Sequence, residues 1–208
     1  QPPTSQQAPL PFAAGQAVLL VGEGDFSFSA AVAQQLVAGQ LRSVIATTLD
    51  SQQHTRKKYP RSKKYTEALA RKGVSVRHSV DATRAADLAA CAAALPQGVS
   101  GFERIIFQFP HSGQQRVHVN RALLRDFFEA AATVLAPAGQ VIVTLKQRRP
   151  YTGWQLEEQA AQSGFRVART VPFDPARFPG YRHVTTEADD AVDGKNAFEV
   201  IFATSTYF

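Results

Sequence analysis

The segment that most constrains the fold is an apolar run that ends in two closely spaced glycines. Residues 17–21 are Ala-Val-Leu-Leu-Val and run directly into Gly22-Glu23-Gly24, after which a helix-like segment follows. A buried parallel strand has this apolar character, and glycine lets the backbone after it turn sharply and approach a ligand. The free N–H groups at the start of the next helix favour an anionic or nucleotide-like ligand. The segment therefore predicts either the ligand-binding edge of a doubly wound sheet or a plain strand-to-helix turn.

Beyond this turn the chain alternates between strand-like and helix-like segments, which is typical of a parallel sheet with right-handed crossovers. Glycines at 39, 73 and 139 lie where helix stops are expected. We predict strands at 17–21, 43–49, 74–80, 103–109 and 140–146, and helices at 28–38, 61–72, 84–95 and 119–135.

The C-terminal part departs from this alternation. A predicted helix at 154–163 is followed by a strand at 165–173, a long loop at 174–197 and a strand at 198–207. Because no helix joins these two strands, they pair antiparallel or leave the sheet. We therefore predict an α/β protein with the Rossmann-like class I fold of S-adenosylmethionine (SAM)-dependent methyltransferases. This fold has a mostly parallel seven-stranded sheet, helices on both faces and an antiparallel C-terminal strand pair.

Length and composition limit the class of protein. The chain has 208 residues, which suit one domain; we place it at 17–208, after a Gln- and Pro-rich arm at 1–16. The single cysteine, Cys91, excludes an internal disulfide framework, and neither cysteine nor histidine spacing predicts a metal site. No run of about 18 apolar residues occurs, so we predict no membrane span. Since the chain begins at Gln1 and contains no Met, we expect a piece of a longer protein.

Positive charge is concentrated in one short stretch. The net charge is +6, and between Arg56 and Lys72 only Glu67 opposes the basic residues. Tyr59 and Tyr65 lie among these cations and could stack on bases. The stretch predicts either a nucleic-acid contact or a solvated helix face. Its basic residues are Arg56, Lys57, Lys58, Arg61, Lys63, Lys64, Arg71 and Lys72.

Polar residues follow the first three predicted strands, at the sheet edge where ligands of open α/β folds bind. Asp50 follows the second strand and is placed to bind ribose hydroxyls, and Asp81-Ala82 follow the third, where a carboxylate can accept from an adenine amino group. A helix N-cap is the alternative for Asp81. Two carboxylates after consecutive strands suit SAM. The first strand adds the predicted cofactor-binding residues Gly22, Glu23, Gly24, Asp25, Phe26 and Ser27.

The ends of the fourth and fifth strands would face the reacting groups. Gln108 supplies hydrogen bonds to cofactor or substrate, and His111 is a candidate general base or a loop histidine bonded to backbone. Lys146 can stabilise negative charge that develops on a substrate. Cations at this edge and in the late loop at 177–183 favour a nucleic-acid substrate. The predicted RNA-binding residues are Phe109, Pro110, Lys57, Lys58, Lys63, Lys64, Arg148, Arg149, Tyr151 and Trp154.

With these residues in view, the chain resembles the Rossmann-like rRNA uridine-N3 methyltransferases of eukaryotic large-subunit rRNA. The resemblance implies SAM as cofactor, rRNA as partner, N3 methylation of uridine and a nuclear or nucleolar location; we expect a monomer. It spans nearly all of 17–208. The segments that carry it include Leu19–Phe28, Lys58-Tyr59-Pro60, Val80–Thr83, Arg104–His111, Val143–Lys146, Pro150-Tyr151 with Trp154, and Pro179-Gly180-Tyr181 with His183.

One residue departs from the family pattern, because Gln108 stands where Asn usually precedes Phe-Pro-His. This departure supports a second hypothesis, a catalytically inactive SAM- or RNA-binding domain that acts as an RNA scaffold. A third hypothesis is a nicotinamide-dependent oxidoreductase. It predicts a sixth parallel strand more often than the antiparallel pair expected here.

Overall fold

The structure, a computed structural model, describes residues 11–36, 43–185 and 196–204. Seven strands form one sheet in the order β3-β2-β1-β4-β5-β7-β6. The strands are β1 (Val18–Val21), β2 (Val44–Thr47), β3 (Ser75–Arg77), β4 (Phe102–Gln108), β5 (Leu135–Lys146), β6 (Phe165–Pro172) and β7 (Ala197–Thr204). Strands β1 to β5 pair parallel, and β7 pairs antiparallel with both β5 and β6. The predicted seven-stranded sheet with an antiparallel C-terminal pair is confirmed.

Helices cover both faces of this sheet, so its central strands are apolar throughout. All four residues of β1 are buried, because one core cluster packs on each face of the sheet. Phe107, Phe127 and Phe128 belong to one cluster, and Phe28 and Phe178 to the other. The helices are α1 (Ser27–Gln34), α2 (Gln52–Lys58), α3 (Ser62–Lys72), α4 (Ala85–Ala92), α5 (Val117–Ala132) and α6 (Leu156–Ala161).

Two of the predicted helix stops fall on described residues. Gly73 ends α3 with a left-handed φ of 85°, as predicted, since glycine adopts this conformation without strain. Gly139 was wrongly predicted as a stop: α5 ends at Ala132, and Gly139 lies inside β5. A Cβ at Gly139 would lie 2.8 Å from the Ala136 carbonyl oxygen, so close backbone packing explains this glycine. Gly39 lies outside the described residues.

Other differences concern short elements. Helix α2 was not predicted; it begins after Ser51, whose side chain accepts from the His54 N–H. The predicted helix at 154–163 is instead a 3-10 helix (Tyr151–Trp154) followed by α6. Phe12 is 5% exposed and packs in a core cluster, so the predicted arm is in contact with the domain at this residue. Residues 1–10 of that arm lie outside the described part. No helix among the described residues is long and apolar enough to cross a membrane.

Candidate functional site: a cofactor cavity at the strand ends

A cavity of about 220 Å³ opens at the carboxyl ends of β1, β2 and β4 and beside the loop after β3. It brings together the residues that sequence analysis placed at separate strand ends, because parallel strands end at one edge of a sheet. The lining residues from the predicted site are Gly22, Glu23, Gly24, Asp50, Lys58, Asp81, Ala82, Phe109 and His111. A smaller cavity of about 60 Å³ adjoins it and is lined by Asp25, Ser27, Gln108 and residues 181–185.

The turn between β1 and α1 needs its glycines for reasons of packing. Gly22 has a φ of 67°, and a Cβ there would overlap the Phe107 ring. A Cβ on Gly24 would lie 2.9 Å from Val184 Cγ2. Phe26 has a φ of 66° as the N-cap residue of α1, and the Asp25 carboxylate accepts from the Ser27 N–H at 2.9 Å. Gly22, Glu23 and Gly24 of the turn thus line the larger cavity, whereas the Ser29 N–H of α1 donates to Glu23.

Glu23 is a buried carboxyl group inside this turn. It is 7% exposed and its Oε2 accepts from the Ser29 N–H at 3.3 Å. The pKa of Glu23 is raised to about 7, mainly by burial and to a lesser extent by the nearby Asp25 carboxylate, against the effect of the hydrogen bonds from Ser29. Glu23 is therefore a proton-exchanging group near neutral pH beside the cavity.

Asp50 faces the cavity from the end of β2 and pairs with Lys58. Its Oδ2 lies 3.2 Å from Lys58 Nζ, and its Oδ1 lies 4.0 Å from His54 Nε2. Lys58, predicted as an RNA-binding residue, therefore lines the cofactor cavity and orients this carboxylate. Leu49, beside Asp50, is 64% exposed and also lines the cavity. Sequence reasoning missed Leu49, although an apolar residue directly after a strand was a usable signal.

Asp81 combines the two roles considered for it. Its Oδ1 accepts from the Thr83 N–H at 2.9 Å and from the Thr83 hydroxyl at 2.6 Å. The residue thus closes a local turn before α4 while it lines the cavity with Ala82. Because one oxygen serves the turn, Asp81 offers less hydrogen-bonding capacity to a ligand than Asp50 does.

The end of β4 supplies groups to both cavities. Gln108 Oε1 accepts from the Thr144 hydroxyl of β5 at 2.5 Å. Phe109 follows with a left-handed φ of 51° and lines both cavities. His111 Nδ1 accepts from the Gly113 N–H at 2.9 Å. In the neutral ring the proton is then on Nε2, so His111 offers a hydrogen-bond donor.

Residues 181–185 of the late loop complete the smaller cavity; sequence analysis noted Tyr181 and His183 as part of a basic loop and of a family segment, without a place in the site. The Tyr181 hydroxyl lies 3.3 Å from His183 Nδ1. The ring centroids of His183 and Phe109 are 4.0 Å apart, with the rings at right angles. The pKa of His183 is lowered to about 4, mainly by burial and to a lesser extent by the charge of Lys146. Burial and the carboxylates of Glu23 and Asp25 raise the pKa of Tyr181 well above its usual range, so both rings stay neutral at physiological pH.

The predicted RNA-binding residues do not all lie on one surface. Lys57, Lys63, Lys64, Arg148 and Arg149 are exposed. Trp154 is fully buried in a cluster with Leu124 and Leu145. It was predicted to stack on RNA and is instead a core residue. Tyr151 packs against it, with ring centroids 4.9 Å apart, and Pro110 is also buried.

The residues of the larger cavity suit SAM. Leu49, Val80 and Ala82 form an apolar wall for a flat ring, and Asp50 places a carboxylate where ribose hydroxyls can donate. Gly22, Glu23 and Gly24 of the turn after β1 line the same cavity.

The fold is that of the class I SAM-dependent methyltransferases. The 16S rRNA methyltransferase KamB superposes with a TM-score of 0.52 at 19% identity, covering 91% of this chain and 87% of that one. A magnesium protoporphyrin IX methyltransferase from Synechocystis PCC 6803 with bound SAM gives a TM-score of 0.51 at 14% identity, covering 92% and 71%. At these identities the likeness shows the fold, and the bound SAM agrees with the predicted cofactor.

The chain belongs to the BMT5-like family, whose model, described as "rRNA (uridine-N3-)-methyltransferase BTM5-like", matches residues 19–185. A mouse relative, "Ferredoxin-fold anticodon-binding domain-containing protein 1 homolog", is 37% identical over 79% of this chain and 27% of its own length. The Arabidopsis thaliana "Heavy metal-associated isoprenylated plant protein 41" is 32% identical over 83% of this chain and 33% of its own length. The chain thus spans a third or less of these two relatives. The Saccharomyces cerevisiae "25S rRNA (uridine(2634)-N(3))-methyltransferase" is 20% identical over 86% of this chain and 69% of its own length.

Proposed function

We propose that this chain uses SAM to methylate N3 of a uridine in ribosomal RNA. The observation that carries the proposal is that the two most distinctive family segments, the turn at 22–27 and the β4 end at 108–111, line adjoining cavities. The name of the yeast relative, which acts on uridine N3 of 25S rRNA, supports this substrate. Ribosomal RNA as substrate also agrees with a nuclear or nucleolar location.

The larger cavity is the proposed cofactor site. Asp50 would bind the ribose, Asp81 and the apolar wall would bind the adenine, and the turn at 22–27 would bind the methionine part. SAM, when bound, supplies an electrophilic methyl group on a positively charged sulfur. The chain contributes orientation and the exclusion of water, which account for much of the rate of a transfer between two bound groups.

The smaller cavity is the proposed acceptor site. N3 of uridine carries a weakly acidic proton that must leave as the N–CH₃ bond forms. Lys146 is 6% exposed at the end of β5 and lies outside the lining of this cavity; its charge reaches His183 in the cavity wall and from there would stabilise the negative charge that develops on a uracil oxygen. His111, predicted as a candidate base, lines the larger cavity and not the smaller one, and its Nδ1 accepts from Gly113, so it would approach the acceptor only from the cofactor side. Gln108 would hold the edge of the base.

RNA would bind the exposed cations around these cavities. Lys57, Lys63 and Lys64 project from α2 and α3, and Arg148 and Arg149 follow β5. Such contacts with phosphates supply affinity and register, whereas the base in the smaller cavity supplies specificity.

The test combines cofactor binding with methyl transfer. We expect isothermal titration to show SAM binding by the wild type, weakened about 10-fold or more by Asp50→Asn and less by Asp81→Asn, whose oxygen is partly used by Thr83. Transcripts that tile large-subunit rRNA are then incubated with radiolabelled SAM, and labelled RNA is digested to identify the nucleoside. The expected product is N3-methyluridine. Label on another base refutes the uridine assignment, and no SAM binding refutes the enzyme.

One observation favours the scaffold alternative. Gln108, which replaces the family Asn, uses one of the two lone pairs of its side-chain oxygen to accept from Thr144 and so offers less hydrogen-bonding capacity to a substrate. SAM binding without transfer to any transcript, together with transfer by Gln108→Asn, would identify an RNA-binding domain that lost its activity through this residue.

A further inference from the structure

A short segment of the late loop, residues 181–185, lies across the cofactor turn; we call it the strap. Val184 packs against Gly24, close enough that a Cβ there would lie 2.9 Å from its Cγ2. Strap residues line the smaller cavity opposite Gln108 and Phe109. The strap thus separates the turn that would bind the cofactor from the solvent on the acceptor side.

Ser27 holds the strap through both hydrogen-bonding functions of its hydroxyl. Oγ donates to the Arg182 carbonyl oxygen and accepts from the Arg182 N–H, each at 3.0 Å. The residue is 1% exposed. Because the one hydroxyl proton is used on Arg182, Ser27 cannot also donate to a ligand in this arrangement. Ser27, predicted as a cofactor-binding residue, therefore connects the turn to the strap.

Tyr59 makes a second connection from the other side. Its ring is 2% exposed and its hydroxyl donates to the Thr185 carbonyl oxygen at 2.7 Å. Tyr59 also lines both cavities. The strap is therefore held at two points by residues that shape the cofactor site, with Val184 packed on Gly24 between them.

Between these two points the strap carries His183 to the end of β4. The imidazole packs edge-on against Phe109 and lies near the Tyr181 hydroxyl. Its position depends on the backbone of Arg182, one residue before it, and of Thr185, two residues after it. A shift of the strap would therefore move His183 relative to Phe109 and change the wall of the smaller cavity.

We propose that Ser27 and Tyr59 are positioning residues: by holding the strap they place His183 against Phe109 as one wall of the site for the acceptor nucleotide. This inference rests on the proposed function, since the acceptor is the RNA base named there. It assigns the two hydroxyls to acceptor binding, even though Tyr59 also lines the larger cavity and Ser27 lies in the turn beside that cavity.

The experiment compares Ser27→Ala with Ser27→Thr, which keeps the hydroxyl, and with the control Ser62→Ala. Ser62 begins α3, is 1% exposed, and its hydroxyl has no hydrogen-bond partner among the described residues. Three quantities are measured: the exchange rate of the Arg182 amide by NMR, the affinity for SAM by titration, and KM and kcat for the best rRNA transcript. We expect Ser27→Ala to increase the exchange rate of the Arg182 amide about tenfold and KM for the transcript about tenfold, while SAM affinity stays within about twofold. We expect Ser27→Thr to restore the exchange rate and KM.

Tyr59→Phe tests the second connection without a change in packing, with Tyr65→Phe as its control. We expect Tyr59→Phe to raise KM with little effect on SAM affinity, as Ser27→Ala does. A tenfold loss of SAM affinity with unchanged Arg182 exchange would overturn the inference and make Ser27 a cofactor ligand. Faster exchange with unchanged KM would equally overturn it. If the wild type methylates no transcript, the proposed function fails, and the affinity of the transcripts for each variant replaces KM in the same comparison.

Discussion

Glu23 offers the most specific test of the electrostatics of the site. Its carboxyl group is buried in the cofactor turn, and burial raises its pKa from 4.5 to about 7. A raised carboxyl pKa means that the folded protein holds a proton which the unfolded chain has already lost. Folding is therefore favoured by this group below pH 4.5, and that contribution is lost as pH rises through about 7.

The magnitude follows from the difference between the two pKa values. At about 1.36 kcal/mol for each unit of pKa, the loss amounts to about 3 kcal/mol. Glu23→Gln keeps an acceptor oxygen for the Ser29 N–H and cannot ionise. We expect the variant to gain about 3 kcal/mol of unfolding free energy relative to wild type between pH 4.5 and pH 8.

The assay is urea unfolding of both proteins at several pH values, with the difference in unfolding free energy plotted against pH. The difference is the informative quantity, because the buried His183 changes wild-type stability in the opposite direction over an overlapping range. A difference that stays constant from pH 4.5 to pH 8 would refute the argument. Carbon-13 NMR of the Glu23 carboxyl gives a direct check, and a midpoint near 4.5 would refute it as well.

Three further predictions follow from the same structure. The pKa of His183 is lowered to about 4, so its contribution to stability is present above pH 6.5 and lost as pH falls through about 4. We therefore expect His183→Gln to reduce the loss of urea-unfolding free energy at acid pH. An unchanged loss at acid pH would count against the argument from burial. Arg177 Nη1 lies 3.0 Å from Glu199 Oε2 with both side chains largely buried. Because Arg177→Ala leaves the Glu199 charge buried without this partner, it should lower the urea-unfolding free energy by about 3–5 kcal/mol. The double variant Arg177→Met with Glu199→Leu removes both charges and should lower it by much less, and equal losses would contradict this. If Lys57 and Lys64 contact phosphates, replacing both with Ala should reduce the slope of log K against log salt for RNA binding by about 1.4, whereas an unchanged slope would identify a solvated face.

Much of the sheet could be predicted because its signals are local. The apolar run before Gly22 identified β1, and the missing helix between the last two strands identified the antiparallel pair. The carboxyl groups at Asp50 and Asp81 were found for the same reason, since a strand end marks the ligand-binding edge wherever the strands run parallel. The start of β5 was missed because only Leu135 of residues 135–139 pairs with β4, before a register shift, and such a shift has no periodic signal in the sequence.

The sequence by itself determined the class of fold, the glycine turn after β1 and the sheet edge at which the candidate site lies, because hydrophobic period and glycine position act over a few residues. Only the tertiary structure decided which groups meet there. It placed Trp154 in the core, gave one oxygen of Asp81 to Thr83, and brought Ser27 to Arg182 across most of the chain. Contacts of this kind depend on the path of a loop, and a loop carries neither the period of a helix nor that of a strand.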